Sequence, residues 1–408
     1  MALKTAARIS TISYDIRGPL AALADELEAE GRDIIRLHLG DPAEHGVAAP
    51  AAVLDAVRRN LDASCGYAHS QGIPQARDAV TAYYRDRGID DIDPDDVTLG
   101  NGVSELVQVA LHALLDPGDQ VLLPAPGYPL WAAAVTLAGG TPVHYRCDEN
   151  ADWIPDLADL SARTGPRTVA LVVNSPHNPT GAVWPAPVLH AMVEHARAHG
   201  LTLLSDEIYA HILYDAPHTV LAGLAPDLAC LTFGGLSKTH RVPGFRVGWM
   251  LLTGPRRHTA EYARALHLIA SLRLCPNVPA QHAIVPALRD IEQTARELTG
   301  PGGVLRERHR SAWRALRGLP DVGCVRPRGA FYLFPRLPPG RRDGPFAREL
   351  LRTQGVLVAP GSGLHHPKGD HIRLTSLAEP ARFAEAVTRI GLHLASPNGP
   401  PTTRSSHR

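Results

Sequence analysis

Several polar side chains in this 408-residue sequence come directly or shortly after apolar runs of strand length. Asn178 comes after RTVALVVN, Asp206 and Tyr209 after LTLLS, and Lys238 after LACLTF. A lysine at the mouth of a buried strand is poorly solvated, which favours the neutral amine and lets it form an imine with an aldehyde. Together these residues predict covalent catalysis by Lys238, supported by an acid, an amide and a phenol.

Two further features indicate a bound anion. The segment GNGVSEL runs from a strand into a helix, so backbone N–H groups near Gly102, Val103 and Ser104 would face an anion at the helix N-terminus. Arg246, in the block GGLSKTHRVPGFRVGW, adds a fixed cation suited to a phosphate. Taken singly, Lys238 is an ordinary loop lysine and GNG a plain turn. Their combination favours a ligand site.

Alternating helix and strand patterns must position these residues. The runs VTLG, QVLLPAP, TPVHYR, RTVALVVN, LTLLSDE and LACLTF read as strands, and segments such as APVLHAMVEHARAHG read as the helices between them. Continuous apolar strands of this kind predict an α/β fold with a mainly parallel sheet that is covered on both faces. In such a sheet ligands bind outside the carboxyl ends of the strands, where the polar residues fall.

After about residue 275 the pattern changes to that of a smaller α+β domain. Helices are predicted over 304–318 and 345–354, followed by the strands VLVAP and HIRLTS. The predicted organisation is an arm over 1–45 that contributes to the small domain, a large domain over 46–285 and a small domain over 286–395. The Pro/Ser/Arg-rich tail over 396–408 is predicted to be disordered.

Composition excludes several classes of protein. The formal net charge is +0, which gives no electrostatic reason to expect nucleic acid or an anionic membrane as a partner. The five cysteines form no CxxC pair, and no secretion signal or membrane span is recognisable, so a cytoplasmic enzyme with reduced thiols is expected. No metal is expected: His195 and His199 lack an evident third ligand, and the histidines from His365 to His371 read as a solvated turn.

The sequence resembles the class I/II aminotransferases over almost its whole length. The motifs are LGDP, GYAHSQG, GNGVSEL, PAPGYPLW, NSPHNPTG, SDEIY, GLSKTHRVPGFRVGW and CPNVPAQHA, and among subgroups they are most similar to bacterial glutamate–pyruvate (alanine) aminotransferases. The resemblance implies fold type I and the cofactor pyridoxal 5′-phosphate (PLP). It also implies a homodimer with shared active sites, in which amino donors and oxo acceptors are the small-molecule partners.

The resemblance further implies a role for each candidate residue. Lys238 would hold PLP and then act as the base, Asp206 would pair with the pyridinium nitrogen, and Tyr209 and Asn178 would bond the ring oxygen. The other implied cofactor contacts are Tyr128 on the ring, Gly102, Val103, Ser104, Ser237 and Arg246 at the phosphate, and Tyr67 from the neighbouring subunit. Substrate would meet Arg373 through its α-carboxylate, with Gly40, Asn178 and Tyr14 beside it.

Some positions depart from the family pattern. Gly235 stands where many relatives carry a phosphate-binding serine. Glu44 and His45 stand at the expected substrate entrance, where alanine-type enzymes carry apolar residues, and they favour a polar acceptor. Arg273 could reach a substrate across the dimer.

The predicted function is transfer of an amino group from an L-amino acid to a 2-oxo acid, of the alanine/glutamate type. A dedicated biosynthetic aminotransferase acting on a polar oxo acid or aldehyde is the first alternative. A PLP-dependent lyase or decarboxylase comes next, and a non-catalytic PLP-binding regulator comes last.

Overall fold

The computed structural model describes residues 3–14 and 16–396. Its strands are β1 (Ile35–Arg36), β2 (Val97–Gly100), β3 (Gln120–Ala125), β4 (Thr141–Asp148), β5 (Ile154–Pro155), β6 (Thr168–Asn174), β7 (Thr202–Asp206), β8 (Cys230–Gly235), β9 (Gly248–Thr253), β10 (Tyr332–Leu333), β11 (Val356–Leu357), β12 (Ala359–Pro360) and β13 (Ile372–Thr375). Of the predicted disordered tail, everything after residue 396 lies outside the described residues.

The helices cover both faces of the main sheet and build most of the C-terminal part. They are α1 (Pro19–Ala29), α2 (Ala51–Arg59), α3 (Pro74–Arg85), α4 (Val103–Leu114), α5 (Pro129–Leu137), α6 (Leu157–Arg163), α7 (Ala186–His199), α8 (Arg256–Ser271), α9 (Val278–Gln281), α10 (Ile284–Arg289), α11 (Ile291–Thr299), α12 (Val304–Leu316), α13 (Asp343–Gln354) and α14 (Pro380–Ala395). Among them, none has both the length and the apolar character needed to cross a membrane.

An eight-stranded sheet in the order β2-β9-β8-β7-β6-β3-β4-β5 forms the centre of the molecule. The pairs β3–β4, β3–β6, β6–β7 and β7–β8 are parallel, whereas β9 runs antiparallel to both of its neighbours. The predicted α/β fold with a mainly parallel sheet is therefore confirmed. The apolar run that forms β9 lies beside a recognised motif, and the sequence reading did not assign it as a strand.

Alternation along the strands shows why both faces of this sheet are covered. In β6, Leu171 and Val173 pack into one apolar cluster, and Ala170 and Val172 pack into the cluster on the opposite face. Successive strand residues point to opposite faces, so a continuously apolar strand must be buried on both sides. Burial on both faces leaves the strand ends as the places where polar side chains can be exposed to a ligand.

The C-terminal part contains two small sheets around a third apolar cluster. β1 pairs in parallel with β11, and β13 pairs antiparallel with β10 and β12. The run VLVAP, predicted as one strand, is divided at Val358 because β11 pairs with β1 whereas β12 pairs with β13.

Candidate active site

A cavity of about 470 Å³ lies at the carboxyl ends of the parallel strands. Every site residue predicted from the sequence lines it except Gly102 and Tyr67; the predicted residues that do so are Tyr14, Gly40, Val103, Ser104, Tyr128, Asn178, Asp206, Tyr209, Ser237, Lys238, Arg246 and Arg373. The fold thus brings together side chains that are far apart in the sequence, and it does so at the sheet edge where the strand pattern placed them.

The acid of the site is Asp206, the last residue of β7. Its carboxylate is buried, and burial raises the pKa to about 6 although hydrogen bonds from the Trp131 indole and the Ile208 backbone N–H oppose the rise. Trp131 Nε1 donates to Asp206 Oδ2 at 3.2 Å. A buried carboxylate held by so few donors is suited to a cationic partner in the cavity.

The amine of the site is Lys238, which follows β8 at the same edge of the sheet. Its Nζ donates to the Gly40 carbonyl at 2.8 Å. Because β7 and β8 are parallel neighbours, Asp206 and Lys238 both enter the cavity from adjacent strand ends. The Gly40 backbone, predicted at the substrate, lies against the amine.

The N-terminus of α4 and Arg246 form a cradle for an anion. Gly102 caps α4 with a φ of 83°, which favours glycine, and a Cβ on it would come within 2.5 Å of Arg246 Nη2 and displace the guanidinium. Arg246 is held in place by hydrogen bonds to the carbonyls of Pro243 (2.9 Å) and Asn101 (3.2 Å). Val103 and Ser104 line the cavity beside it. The free N–H groups and the guanidinium converge as a phosphate requires.

A chain of hydrogen bonds connects Asp206 to Arg373. Asn174 Nδ2 donates to the Asp206 carbonyl, and Asn174 Oδ1 accepts from the Asn178 backbone N–H at 2.9 Å. Asn178 Oδ1 in turn accepts from Arg373 Nη1, also at 2.9 Å. The ends of β6 and β7 thereby orient the guanidinium that the sequence assigned to a carboxylate.

Arg373 itself lies on β13 and is 1% exposed. Nη2 donates to the His38 carbonyl at 2.6 Å, the guanidinium carbon lies 4.5 Å from the centroid of the Tyr332 ring, and Nε has no hydrogen-bond partner among the described residues. A buried guanidinium is costly without an anion, so this geometry favours a carboxylate ligand.

Four tyrosines form two hydrogen-bonded pairs at the cavity. Tyr209 and Tyr332 hydroxyls lie 2.8 Å apart, and those of Tyr14 and Tyr128 lie 2.9 Å apart. Burial raises the pKa of Tyr209 and of Tyr128 well above the ordinary value, so both phenols stay protonated and can donate hydrogen bonds to a ligand oxygen.

Three residues predicted near the substrate do not line the cavity of this chain. Glu44 and His45 lie in a short 3-10 helix that follows Asp41, which does line it, and their place at the substrate entrance stays a prediction. Arg273 bonds within its own chain, to the Leu99 carbonyl at 2.7 Å and to Glu105, and its reach across the dimer also stays a prediction.

The histidine-rich turn before β13 is also misread from the sequence. His366 and His371 are buried rather than solvated, because Trp153 and Phe334 pack against them.

The glycine at position 235 has a structural explanation. A Cβ on Gly235 would come within 3.1 Å of the Val247 carbonyl and 3.2 Å of the Gly248 Cα. The close pairing of β8 with β9 therefore excludes a serine at this position without a shift of the backbone.

Sequence reasoning did not find Trp131, Asn174 and Tyr332. Asn174 carried a usable signal, because it ends the apolar run of β6 just as Asp206 ends that of β7. Trp131 and Tyr332 carried none, since their roles depend on contacts with residues far away in the chain. Tyr67 is 83% exposed and lies outside the cavity.

Comparisons with known proteins identify the family. Residues 32–390 match the family model for aminotransferase class I and II. Alanine aminotransferase of Mycobacterium tuberculosis is 49% identical over 97% of this chain and 93% of its own length. Glutamate-pyruvate aminotransferase AlaA of Escherichia coli is 46% identical over 92% and 94%, respectively.

Solved structures agree with the sequence relatives. The crystal structure of an aminotransferase from Escherichia coli superposes with a TM-score of 0.95 at 44% identity, covering 97% of this chain and 99% of that one. Alanine aminotransferase from Pyrococcus furiosus gives a TM-score of 0.90 at 32% identity, covering 96% and 99%. The chain belongs to the class I and II aminotransferases, a family of PLP-dependent enzymes, and the predicted family and enzyme class are confirmed.

Proposed function

We propose that this aminotransferase binds PLP in the cavity and exchanges the amino group between alanine or glutamate and the corresponding 2-oxo acids. The observation that carries the proposal is the convergence of Asp206, Lys238, Arg246 and Arg373 on one cavity. The names of the relatives, alanine and glutamate-pyruvate aminotransferase, support this choice of substrates.

The residues fit PLP in charge and in shape. Asp206 offers a buried carboxylate to the pyridinium nitrogen, and Arg246 with the N-terminus of α4 offers donors to the phosphate. Lys238 offers the amine that would bind the cofactor covalently. Tyr209 and Asn178 are proposed to donate to the ring oxygen, Ser237 to the phosphate, and Tyr128 to pack on the ring.

The chain's own residues then position substrate and move the proton. When bound, PLP supplies a ring that withdraws electrons from the substrate Cα. Arg373 binds the α-carboxylate through two parallel N–H···O bonds and so fixes the Cα–H bond toward Lys238. Lys238 Nζ takes that proton as the general base. Gly40 and Tyr14 are proposed to close over the substrate and exclude water.

A further cation at the cavity suits dicarboxylic substrates. Arg17 lines the cavity together with Arg373, and so does Asp41. Glutamate and 2-oxoglutarate carry two carboxylates, so Arg17 is proposed to bind the distal one. Glu44 and His45, which favoured a polar acceptor, do not line the cavity themselves, and the polar-acceptor alternative is kept for the substrate test below.

The assignment of Arg373 predicts a defect in substrate binding. Arg373→Lys keeps the charge but loses the bidentate geometry, so we expect the KM for alanine and for 2-oxoglutarate to rise on the order of 10²-fold. Steady-state kinetics with each substrate varied would measure this. Arg310→Lys, at an exposed position of α12, is the matched control and should leave both KM values unchanged.

Trp131 is predicted to act on Asp206 rather than on substrate. Trp131→Phe keeps the apolar packing against Phe233 but removes the donor to the carboxylate. We expect PLP affinity, measured by equilibrium dialysis at pH 7, to fall by roughly tenfold or more, as for a lost hydrogen bond to a charged group. Trp313→Phe is the control, and equal affinities in the two variants would contradict the assignment.

We also propose that the enzyme is a homodimer. Apolar side chains at the end of α8 and beyond, Leu268, Leu272 and Leu274, are exposed, as are Leu61 and Tyr67. Exposed apolar groups in such number favour a subunit interface, and Tyr67 would then reach the partner's site.

The expected cytoplasmic location stays a prediction.

The dimer proposal predicts a coupled loss of assembly and activity. Leu272→Asp should give a monomer with little activity, because burying an unpaired charge in an interface is costly. Sedimentation together with activity across a dilution series would measure both. Leu392→Asp, at another exposed leucine on α14, is the control and should remain a dimer. A fully active monomer would refute the proposal.

The substrate assignment is tested with a panel of donors and acceptors. Alanine, glutamate, aspartate and lysine are paired with pyruvate, 2-oxoglutarate, oxaloacetate and a polar aldehyde. We expect the highest kcat/KM for alanine with 2-oxoglutarate and for glutamate with pyruvate. A preference for the polar aldehyde would instead support the biosynthetic alternative, despite the position of Glu44 and His45.

A further inference from the structure

Three ligand-type side chains converge outside the active-site cavity, in the segment that leads into β13. His366, Asp370 and His371 each offer one ligand atom, and these atoms lie within 4.8 Å of one another. Asp370 Oδ1 lies 2.7 Å from His371 Nδ1 and 3.4 Å from His366 Nδ1. We call these three residues the His–Asp–His cluster.

Both imidazoles of the cluster are buried and incompletely bonded. His366 is 7% exposed and His371 is 0% exposed. Among the described residues, His366 Nδ1 has no partner with hydrogen-bond geometry, and His371 Nε2 has only a 3.4 Å contact with Glu149. Buried polar atoms nearly always have a partner, so the unpartnered His366 Nδ1 calls for a ligand.

Aromatic side chains hold the two rings in position. Phe334 stacks on His371 with ring centroids 4.9 Å apart, and the Trp153 centroid lies 5.3 Å from that of His371 and 5.9 Å from that of His366. Rings packed on several sides keep a fixed orientation, and the apolar wall excludes water. The cluster is therefore preorganised rather than a chance meeting of flexible surface groups.

A second carboxylate, that of Glu149, lies beside the Nε2 atom of His371. Glu149 Oε1 lies 3.4 Å from His371 Nε2, and Glu149 Oε2 lies 3.5 Å from Arg336 Nη1. Histidines that bind metal usually direct the other ring nitrogen to a carboxylate, which fixes the tautomer and raises the basicity of the ligand. His371 has this arrangement, with Asp370 at one nitrogen and Glu149 at the other.

We propose that the His–Asp–His cluster is a binding site for a divalent transition-metal ion of the zinc type. Two imidazoles and one carboxylate suit Zn²⁺, Co²⁺ or Ni²⁺, whereas Mg²⁺ and Ca²⁺ prefer oxygen ligands alone. The side chain of Asp370 is 29% exposed and provides the route of entry. Asp370 and Glu149 together balance the charge of the ion, and three protein ligands leave one position for water.

Metal binding would connect two parts of the fold. Glu149 and Trp153 follow β4 of the eight-stranded sheet, whereas the cluster directly precedes β13, which carries Arg373. A bound ion would fix the segment before β13, whose His371 contacts Glu149 at the end of β4, and would stabilise the folded enzyme. The site does not depend on the proposed substrates.

The test uses holoenzyme that has been treated with EDTA and then dialysed. Zn²⁺ is titrated by calorimetry, and Co²⁺ is titrated while tryptophan fluorescence is followed, because Trp153 lies against both rings. We expect about one ion per chain and saturable quenching that is lost in Trp153→Phe. The thermal midpoint should rise with Zn²⁺.

Variants separate this site from other metal-binding groups. Asp370→Asn and His366→Gln should weaken Zn²⁺ binding by about 10²-fold, and Glu149→Gln by roughly tenfold. Asp370→Asn is isosteric at a partly exposed position, so its fold and its thermal midpoint without metal should match those of wild type. His199→Ala is the control, because His195 and His199 on α7 form a competing pair with ring centroids 4.3 Å apart.

Two results would overturn the proposal. One is the absence of saturable binding, which would make the cluster a hydrogen-bonded support for β13 alone. The other is binding that survives Asp370→Asn and His366→Gln, or that is lost in His199→Ala, which would place the ion elsewhere.

Discussion

Lys238→Ala is expected to lower turnover on the order of 10³-fold or more, because it removes both the cofactor's covalent partner and the general base. Lys238 Nζ stands at the Gly40 carbonyl inside the cavity, and no other lysine lines it among the described residues. Turnover with alanine and 2-oxoglutarate would be measured beside the mass of the Lys238 peptide after borohydride treatment. The wild-type peptide should carry the cofactor, and the variant should carry none.

A matched control is available in the same chain. Lys368 lies on the surface, in the turn before β13, and Lys368→Ala should keep wild-type activity and wild-type cofactor labelling. Full activity in Lys238→Ala would contradict the assigned role. So would labelling of Lys368 in place of Lys238.

Asp206→Asn is expected to separate activity from stability. The amide cannot neutralise a pyridinium, so turnover should fall on the order of 10³-fold and PLP affinity should fall with it. The apo-protein should nevertheless unfold less readily than wild type at pH 7. When a residue is kept for function at a cost in stability, its replacement lowers activity and raises stability.

The sign of the stability effect follows from the pKa of Asp206. Burial raises this pKa from 3.8 in an ordinary environment to about 6 in the folded protein. Between these values the folded state binds more protons than the unfolded state, so stability falls as the pH rises through this window. Asparagine has no proton to lose. At pH 7 the free energy of unfolding of apo Asp206→Asn should exceed that of wild type by about 3 kcal/mol, and the difference should vanish below about pH 4.

Chemical denaturation of the apo-proteins at several pH values would measure this difference. Asp119→Asn, on a partly exposed turn before β3, is the control and should show no comparable gain. An apo Asp206→Asn protein that is less stable than wild type at pH 7 would show that the carboxylate is stabilised by its surroundings rather than strained by burial.

The strand ends were predictable because one physical rule determines them. In a parallel sheet the carboxyl ends of neighbouring strands meet at one edge, so the residues after β6, β7 and β8 had to converge once those runs were recognised as strands. Asn178, Asp206 and Lys238 were found in this way. Arg246 was found as a fixed cation in the loop after Lys238, whereas Arg373 needed the family motifs because it does not follow a strand of this sheet edge.

The partners of these residues were not predictable from local pattern. Trp131 reaches Asp206 across 75 positions of sequence, and Tyr332 reaches Tyr209 across 123. Such contacts depend on how helices and lobes pack, which periodicity does not specify. The same holds for His366 and His371, which a polar turn predicts to be solvated and which Trp153 and Phe334 bury.

Neighbours in sequence also diverge in space. Glu44 and His45 lie close to Gly40 in the chain, and the family resemblance placed them at the expected substrate entrance. They lie in a short 3-10 helix after Asp41 and do not line the cavity that Gly40 and Asp41 line. Loop geometry of this kind depends on individual backbone angles rather than on residue type.

Transfer of the amino nitrogen itself tests the central claim most directly. L-alanine labelled with ¹⁵N is incubated with the enzyme and unlabelled 2-oxoglutarate, and the products are followed by mass spectrometry. The account predicts ¹⁵N-glutamate and pyruvate in equal amounts, with no more than about one pyruvate per active site when the oxo acid is left out. Release of ¹⁵N-ammonia, loss of CO₂ from alanine without an acceptor, or no exchange with any common oxo acid would contradict it.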